Sequence, residues 1–320
     1  STFDSFATAF TEIETRDELR PNGRFKRIQR LSKISNVPEW NRLFRQIADV
    51  KLGSKMDVKN RPEIEGGEAS LKVVPKTEGV NQFTEYIFNV IDKFDNLSGA
   101  EKKDFSYIPL VSFGAARAAA IDMRMVDPNA KDEPGSKLNK MVDNAVDLYN
   151  KYDDQKATQV VFADTFRAVK RVKLEEFLQG KVIERDINEA DVEEEISFED
   201  NEFNLYQEIK NKLVSKGVPE EEIADIQDYK TPESRQKLFE KVNNGEVRFV
   251  LGSTQKLGTG VNMQERMIAA HHLDVPWTPA DLEQRDGRVY RQGNIFAELG
   301  VPIHLNRYGM EESLDAALWD

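Results

Sequence analysis

Apolar and polar positions divide the chain into a front third of mixed rhythm and a remainder in which strand and helix periods alternate. Residues 3–13, FDSFATAFTEI, are an apolar-rich opening. The run PNGRFKRIQRLSKI reads as a Pro-Asn-Gly turn entering a strand of alternating basic and apolar residues. In VPEWNRLFRQIADV, Trp40, Leu43, Phe44 and Ile47 recur at helical spacing, and that stripe is expected to be core. Residues 51–80 are rich in Lys, Glu, Gly and Pro without a period, which predicts an extended connector with a short strand at 70–74. An amphipathic helix over 81–94 follows, with Phe83, Ile87, Phe88, Val90 and Ile91 on or near its buried face.

From residue 115 the alternation becomes regular. AARAAAIDMRM is a helix by propensity, DPNAKDEPG is a turn-rich loop, and Ser136 caps a helix reaching about residue 152. TQVVFAD, residues 158–164, is a buried β-branched strand ending in a carboxylate. Helices over 202–216 and 232–242 enclose a short strand at 223–228, and Asn243-Asn244-Gly245 stops the second helix. A strand at 247–253 then opens into a Gly-rich turn, and an apolar run at 267–274, a polar helix at 279–291 and a short strand at 301–305 complete the pattern. Such alternation predicts α/β crossovers and a parallel sheet, whose ligands gather at the carboxyl ends of its strands.

Residues 165–201 interrupt this order as an insertion. Arg167, Lys170, Arg171 and Lys173 lie in its first half, and its second half, ERDINEADVEEEISFED, is strongly acidic. Blocks of like charge are usually solvated and mobile, and docking or DNA mimicry is the other reading of the acidic half.

The length of 320 residues allows one large or two modest domains, and 39% hydrophobic with 32% charged residues supports a proper core. A net charge of -12 argues against indiscriminate nucleic-acid binding over the whole surface. Local stripes matter more. Arg16, Arg20, Arg24, Lys26, Arg27, Arg30 and Lys33 gather near Asp17 and Glu18, so the strand there is either a DNA-backbone contact or an edge strand protected by charge. There is no cysteine, no membrane-length apolar run and no opening signal peptide, which points to a cytoplasmic protein without disulfides or thiolate metal sites. His271 and His272 are not expected to hold a metal, because adjacent strand residues face opposite ways and no acid cluster completes the set.

The chemistry concentrates between residues 248 and 294. Pro279 with Asp281 and Glu283 suits a helix start, and Arg285, Arg288 and Arg291 then recur every third residue on roughly one face. Like charges at that spacing repel, and a polyphosphate would relieve the repulsion through bidentate hydrogen bonds. A solvated basic face is the plainer reading. Gly258 and Gly260 lack a Cβ, so they serve either simple turn chemistry or close backbone approach to a ligand.

LDVPWTPADLEQRDGRVYRQGN resembles motif VI and its lead-in in superfamily-two helicases, most closely the Swi/Snf-type ATPases, and GSTQKLGTGVNMQ resembles their motif V. The narrower resemblance is to the helicase half of helicase and DNA-methylase proteins of phages, plasmids and integrative elements, covering residues 158–319 well and the front more loosely. It implies a RecA-like helicase C-terminal lobe over 111–320, a parallel sheet flanked by helices. A smaller, mostly helical and irregular segment over 1–110 would be the tail of the first motor lobe or a brace.

By this resemblance Arg288 and Arg291 are arginine fingers. Gln284, Arg285, Gly258, Gly260 and Asn262 couple ATP to DNA, and Ser253, Thr254 and Lys256 face the DNA backbone beside Arg24, Lys26, Arg27 and Arg30. Asp274 resembles a Walker B aspartate, but the chain has no GxxxxGK[ST] loop and no DEAH-like box, so a structural role is expected of it. ATP and Mg2+ are accordingly expected only in a longer protein with a first RecA-like lobe and possibly a methylase, this chain alone binding neither. The alternative is a RecA-like module that binds DNA or protein without catalysis.

Overall fold

The computed structural model describes residues 2–19, 25–48, 60–165, 172–180, 203–257, 262–313 and 319. Two compact units divide the chain, Ser1–Lys59 and Asn60–Asp320.

In the first unit, α1 (Thr2–Phe10) leads into β1 (Thr11–Leu19), which pairs antiparallel with β2 (Phe25–Ile34), and α2 (Val37–Phe44) follows. The basic strand expected from the alternation is thus the second arm of a hairpin. Phe6, Phe10, Trp40 and Phe44 pack ring against ring, with centroids 5.2 to 6.2 Å apart. The helix predicted by the Trp40, Leu43, Phe44 and Ile47 spacing forms, but none of its residues is buried, and Ile47 beyond it stands 86% exposed. A hairpin with two short helices has too little mass to cover a helix face, so the stripe is not core.

The second unit is built on a six-stranded, wholly parallel sheet in the order β3-β8-β7-β4-β6-β5. Its strands are β3 (Ser70–Val74), β4 (Thr158–Phe162), β5 (Ile223–Asp225), β6 (Phe249–Gly252), β7 (Met267–His272) and β8 (His304–Met310). Every residue of β4, β6 and β7 is buried, which is why these segments read as continuous apolar runs. Side chains alternate between two cores. Val161 joins the core formed with α3 (Glu78–Asp95), α4 (Ile108–Ile121), α5 (Lys137–Lys151), α6 (Val172–Leu178) and α7 (Leu205–Ser215), while Val160 and Phe162 join the one formed with α8 (Pro232–Asn244) and α9 (Pro279–Val289). This is the RecA-like α/β architecture expected from the sequence.

Residues 60–110 belong to the same compact unit as the sheet. They supply the edge strand β3 and the apolar face of α3, where Phe83, Ile87, Val90 and Ile91 are buried in the shared core. Part of the charged insertion is ordered too. Leu174 and Phe177 of α6 are buried, and Lys93 Nζ donates to the carbonyls of Phe177 at 2.9 Å and Leu178 at 2.8 Å, satisfying carbonyls that the helix end leaves over. The acidic half of the insertion lies outside the described residues. No helix among the described residues is long and apolar enough to cross a membrane.

β4 lies between β6 on one side and β7 on the other, so the crossovers diverge there and leave a crevice at the carboxyl ends of these strands. Gly252 closes β6 within that crevice. A Cβ there would stand 2.6 Å from Leu257 Cδ1 and 2.7 Å from Ile226 Cγ2, so a larger residue would have to displace these side chains where the chain enters the short helix Thr254–Leu257. Gly245, the expected helix stop, adopts a φ of 75° as the left-handed cap of α8.

Candidate functional site

Three strand ends meet at a buried guanidinium. Just past β4, β6 and β7 stand Asp164, Thr254 and Asp274, and α9 starts beside them because Thr278 accepts the Asp281 N–H at 3.2 Å and Pro279 fixes the first turn. This aims Arg285 down between the strand ends, where it is 0% exposed. Its Nε donates to Thr254 Oγ1 at 2.7 Å and its Nη1 to the Asp274 carbonyl at 2.9 Å. Nη2 donates to Asp164 Oδ2 at 2.7 Å and to Asp274 Oδ1 at 3.1 Å.

The carboxylates are held in turn. Asp164 accepts from the Thr254 backbone N–H at 2.7 Å and from its hydroxyl at 2.9 Å, and Asp274 Oδ2 accepts the backbone N–H groups of Asp164 at 2.8 Å and Thr165 at 2.9 Å. Burial by itself raises the Asp274 carboxyl, but Arg285, Arg117 and the Thr165 N–H outweigh it and hold the group below its ordinary value. Such a network suits structure. Every oxygen and nitrogen in it already faces a partner, so Arg285 is not open to a ligand, and Asp274 is a structural carboxylate as its sequence context suggests.

α9 ends at Val289, so Arg291 lies past the helix and the three arginines do not form one row. Each three-residue step falls about 60° short of a full turn, which separates Arg285 from Arg288 around the helix. Arg288 and Arg291 come close to each other instead. Partial burial, and then the charge of Arg291, lowers the Arg288 guanidinium from its ordinary value. Arg288 Nε is buried with no hydrogen-bond partner among the described residues. Arg291 Nη1 donates to Asn262 Oδ1 at 3.0 Å, and Gln284 is exposed on the helix surface. Two cations with a donor to spare form a corner suited to an anion with several oxygens.

Residues 201–293 match the family described as the helicase conserved C-terminal domain. Over these residues the chain resembles a helicase C-terminal domain. A curated relative, the "Defense against restriction protein B" of Escherichia phage P1, is 34% identical over 58 residues, 18% of this chain, and the chain spans only 3% of that relative's length. The chain is also similar to the Sulfolobus solfataricus SWI2/SNF2 ATPase C-terminal domain, with 12% identity, a TM-score of 0.46 and coverage of 78% of this chain and 82% of that one. It is similar to the DUF1998 helicase MrfA bound to DNA, with 15% identity, a TM-score of 0.33 and coverage of 56% of this chain and 18% of that one.

Within the helicase lobe the remaining expected residues separate. Ser253 and Lys256 are half-buried at the end of β6, with the Lys256 N–H donating to Ser253 Oγ at 3.4 Å. Thr254, expected to face DNA, is buried and its hydroxyl is spent on Asp164 and Arg285. Gly258 and Gly260 lie outside the described residues.

Outside the lobe, in the hairpin unit, Arg24 also lies outside the described residues. The register sets Glu12 opposite Lys33, Glu14 opposite Arg30, Asp17 opposite Arg27 and Glu18 opposite Lys26. The basic strand is therefore matched by acids across the hairpin, which reading the strand alone does not reveal.

His271 and His272 fall on opposite faces of β7. His271 lies between Tyr308 and Gln159, while the His272 ring stacks on Phe162 and its Nε2 lies 2.9 Å from Asp286 Oδ1. Sequence reasoning missed two groups. Arg117 from α4 donates to the Val275 carbonyl and stands 3.9 Å from Asp274 Oδ2, and Trp277, 60% exposed, is stacked on Phe113 at 5.4 Å with the Arg117 guanidinium 4.7 Å from its ring centre. An exposed tryptophan between a strand end and the Arg285 helix was the available signal.

Proposed function

We propose that the helicase lobe is the second motor lobe of an ATP-dependent DNA helicase or translocase, with Arg288 and Arg291 as its arginine fingers. The observation that carries this reading is the Arg288 and Arg291 corner: two cations that feel each other's charge at the end of a helix fixed by Arg285, one with an unpartnered buried Nε. Keeping like charges adjacent costs stability, and an ATP phosphate meeting both offsets that cost. These side chains fit a phosphate group, with Gln284 exposed nearby. A GxxxxGK[ST] loop to cradle the phosphates and Mg2+ is absent from the sequence, so that part falls to a first RecA-like lobe in a longer parent protein, joined by resemblance to a methylase. ATP supplies the phosphoryl bond whose hydrolysis drives movement. Asn262, bonded to Arg291, links the finger corner to the turn after β6 and so couples ATP to the DNA side.

DNA would run along that same edge of the sheet. Ser253 and Lys256 offer phosphate contacts, and the propped Trp277 offers a face on which a base can stack. Lys26, Arg27 and Arg30 of the hairpin add less than their charges suggest, because acids stand opposite them. The test is DNA-stimulated ATP hydrolysis by the parent protein carrying Arg288→Ala or Arg291→Ala, with thermal melts to establish folding. Collapse of turnover in folded variants is expected, and parent-like turnover overturns the reading. The chain by itself is expected to turn over no ATP.

A further inference from the structure

The carboxyl end of α9 is held by a residue far away in the sequence. A helix leaves its last carbonyls without internal partners, and Arg61 Nε donates to one of them, that of Tyr290, at 3.2 Å. The Arg61 guanidinium also lies 3.3 Å from the centre of the Tyr290 ring. Next to it the Asn60 carbonyl accepts the Gly293 N–H at 3.3 Å. The segment carrying Arg61 is itself tied to the sheet side, with Glu65 N donating to the Ile303 carbonyl and Ile303 N to the Glu63 carbonyl, both at 2.8 Å. Tyr290 follows Arg288 by two residues and immediately precedes Arg291.

We infer that Arg61 is a positioning residue for Arg291, acting through Tyr290. The inference rests on the reading of Arg288 and Arg291 as fingers. α9 has its own anchors, the buried Arg285 and Val289, so the helix stays in place without Arg61. The turn over residues 290–293 is different. It leaves the helix at Tyr290, where φ is -81° and ψ 67°, and reverses through Gly293 at a φ of 83°, so its path is set by the contacts with Arg61, Asn60 and Asn262. A guanidinium that meets developing charge must be placed to a fraction of an ångström, and Arg61 removes the freedom that would blur it.

The experiment uses the parent protein and DNA-stimulated ATP hydrolysis, comparing Arg61→Ala, Arg61→Lys, Arg291→Ala and the Arg61→Ala/Arg291→Ala pair. Arg61→Ala is expected to lower kcat about 10-fold to 100-fold with KM for ATP little changed, because a small misplacement of a catalytic group has that effect. Lysine is expected to restore little, since an ammonium lacks the planar face that covers the tyrosine. Adding Arg61→Ala to Arg291→Ala is expected to change kcat no further, as for two residues acting through one group. Parent-like kcat in folded Arg61→Ala, beside a collapsed Arg291→Ala, overturns the Arg61 inference alone. So does multiplication of the two losses. Parent-like kcat in Arg291→Ala overturns the finger reading and this inference with it.

Discussion

Arg285 and Asp164 meet at 2.7 Å, joining the helix that leads into the Arg288 and Arg291 corner to the strand at the centre of the sheet. Thr254 and Asp274 close the same knot, so all three strand ends are fixed to one guanidinium. Its worth lies in what its removal leaves behind. Arg285→Ala would strand the buried Asp274 carboxylate beside a partly exposed Asp164, and breaking a buried pair in this way costs about 3–5 kcal/mol. A urea midpoint lowered by that amount is expected. Arg285→Lys should recover only part, because an ammonium cannot reach several acceptors in a plane. A midpoint within about 1 kcal/mol of the parent, an ordinary surface effect, would mean that the knot adds nothing to the fold.

A second expectation concerns acid. His271 is fully buried, accepting at Nδ1 from Tyr308 Oη at 2.9 Å and donating from Nε2 to Gln159 Oε1 at 2.8 Å. That tautomer follows from Gln159, whose Nε2 donates to the Ala145 carbonyl at 2.9 Å and whose oxygen therefore faces the ring. Burial, then the nearby His272 and His304, pushes the ring from 6.5 down to about 3. Above pH 6.5 the ring is neutral folded or unfolded and adds no pH dependence. Between 6.5 and about 3 only the unfolded chain takes the proton, so this group subtracts up to about 1.4 kcal/mol of stability per pH unit of acidification. Urea midpoints of the parent and His271→Gln from pH 7 to 4 should diverge less at low pH than at neutral. Parallel curves would show that the ring titrates normally.

How far this architecture was legible depends on whether a feature is local. Runs such as TQVVF and MIAAHH announced central strands because burial on both faces demands apolar residues throughout. The cap of α9 was equally readable from Thr278, Pro279 and Asp281. Arg285 was misread, since spacing gives a helical position but not which side the sheet occupies. Its partners Asp164, Thr254 and Asp274 become neighbours only once β4, β6 and β7 are aligned. The hairpin's pairing is likewise not local: Asp17 and Glu14 come opposite Arg27 and Arg30 only through its register.

That register makes a prediction about DNA. Binding to phosphates releases counterions, and each lost contact lowers the slope of log affinity against log salt by about one. Lys256→Ala is expected to do this in duplex binding by the chain. Arg27→Ala is expected to change the slope little, because the register sets an acidic residue, Asp17, opposite it. If Arg27→Ala flattens the slope and Lys256→Ala leaves it intact, the hairpin is the backbone contact and the β6 edge is not.

The last prediction follows from the cost that the Arg288 and Arg291 corner imposes without its ligand. Burial and the charge of Arg291 both work against the Arg288 cation, and its Nε has no acceptor among the described residues. Truncating Arg288 therefore removes a repulsion and an unsatisfied donor, so Arg288→Ala should melt at or slightly above the parent temperature. Catalysis should move the other way. An arginine finger is worth a factor of about 10³ to 10⁵ in turnover, and that loss is expected of DNA-stimulated ATP hydrolysis by the parent protein. Arg288→Lys should recover little, because it keeps the charge but loses the fork that engages two phosphate oxygens. Greater stability with lost turnover is the signature of a group kept for its function. A lower melting temperature with turnover unchanged would make Arg288 a structural residue, and the corner would then need another explanation.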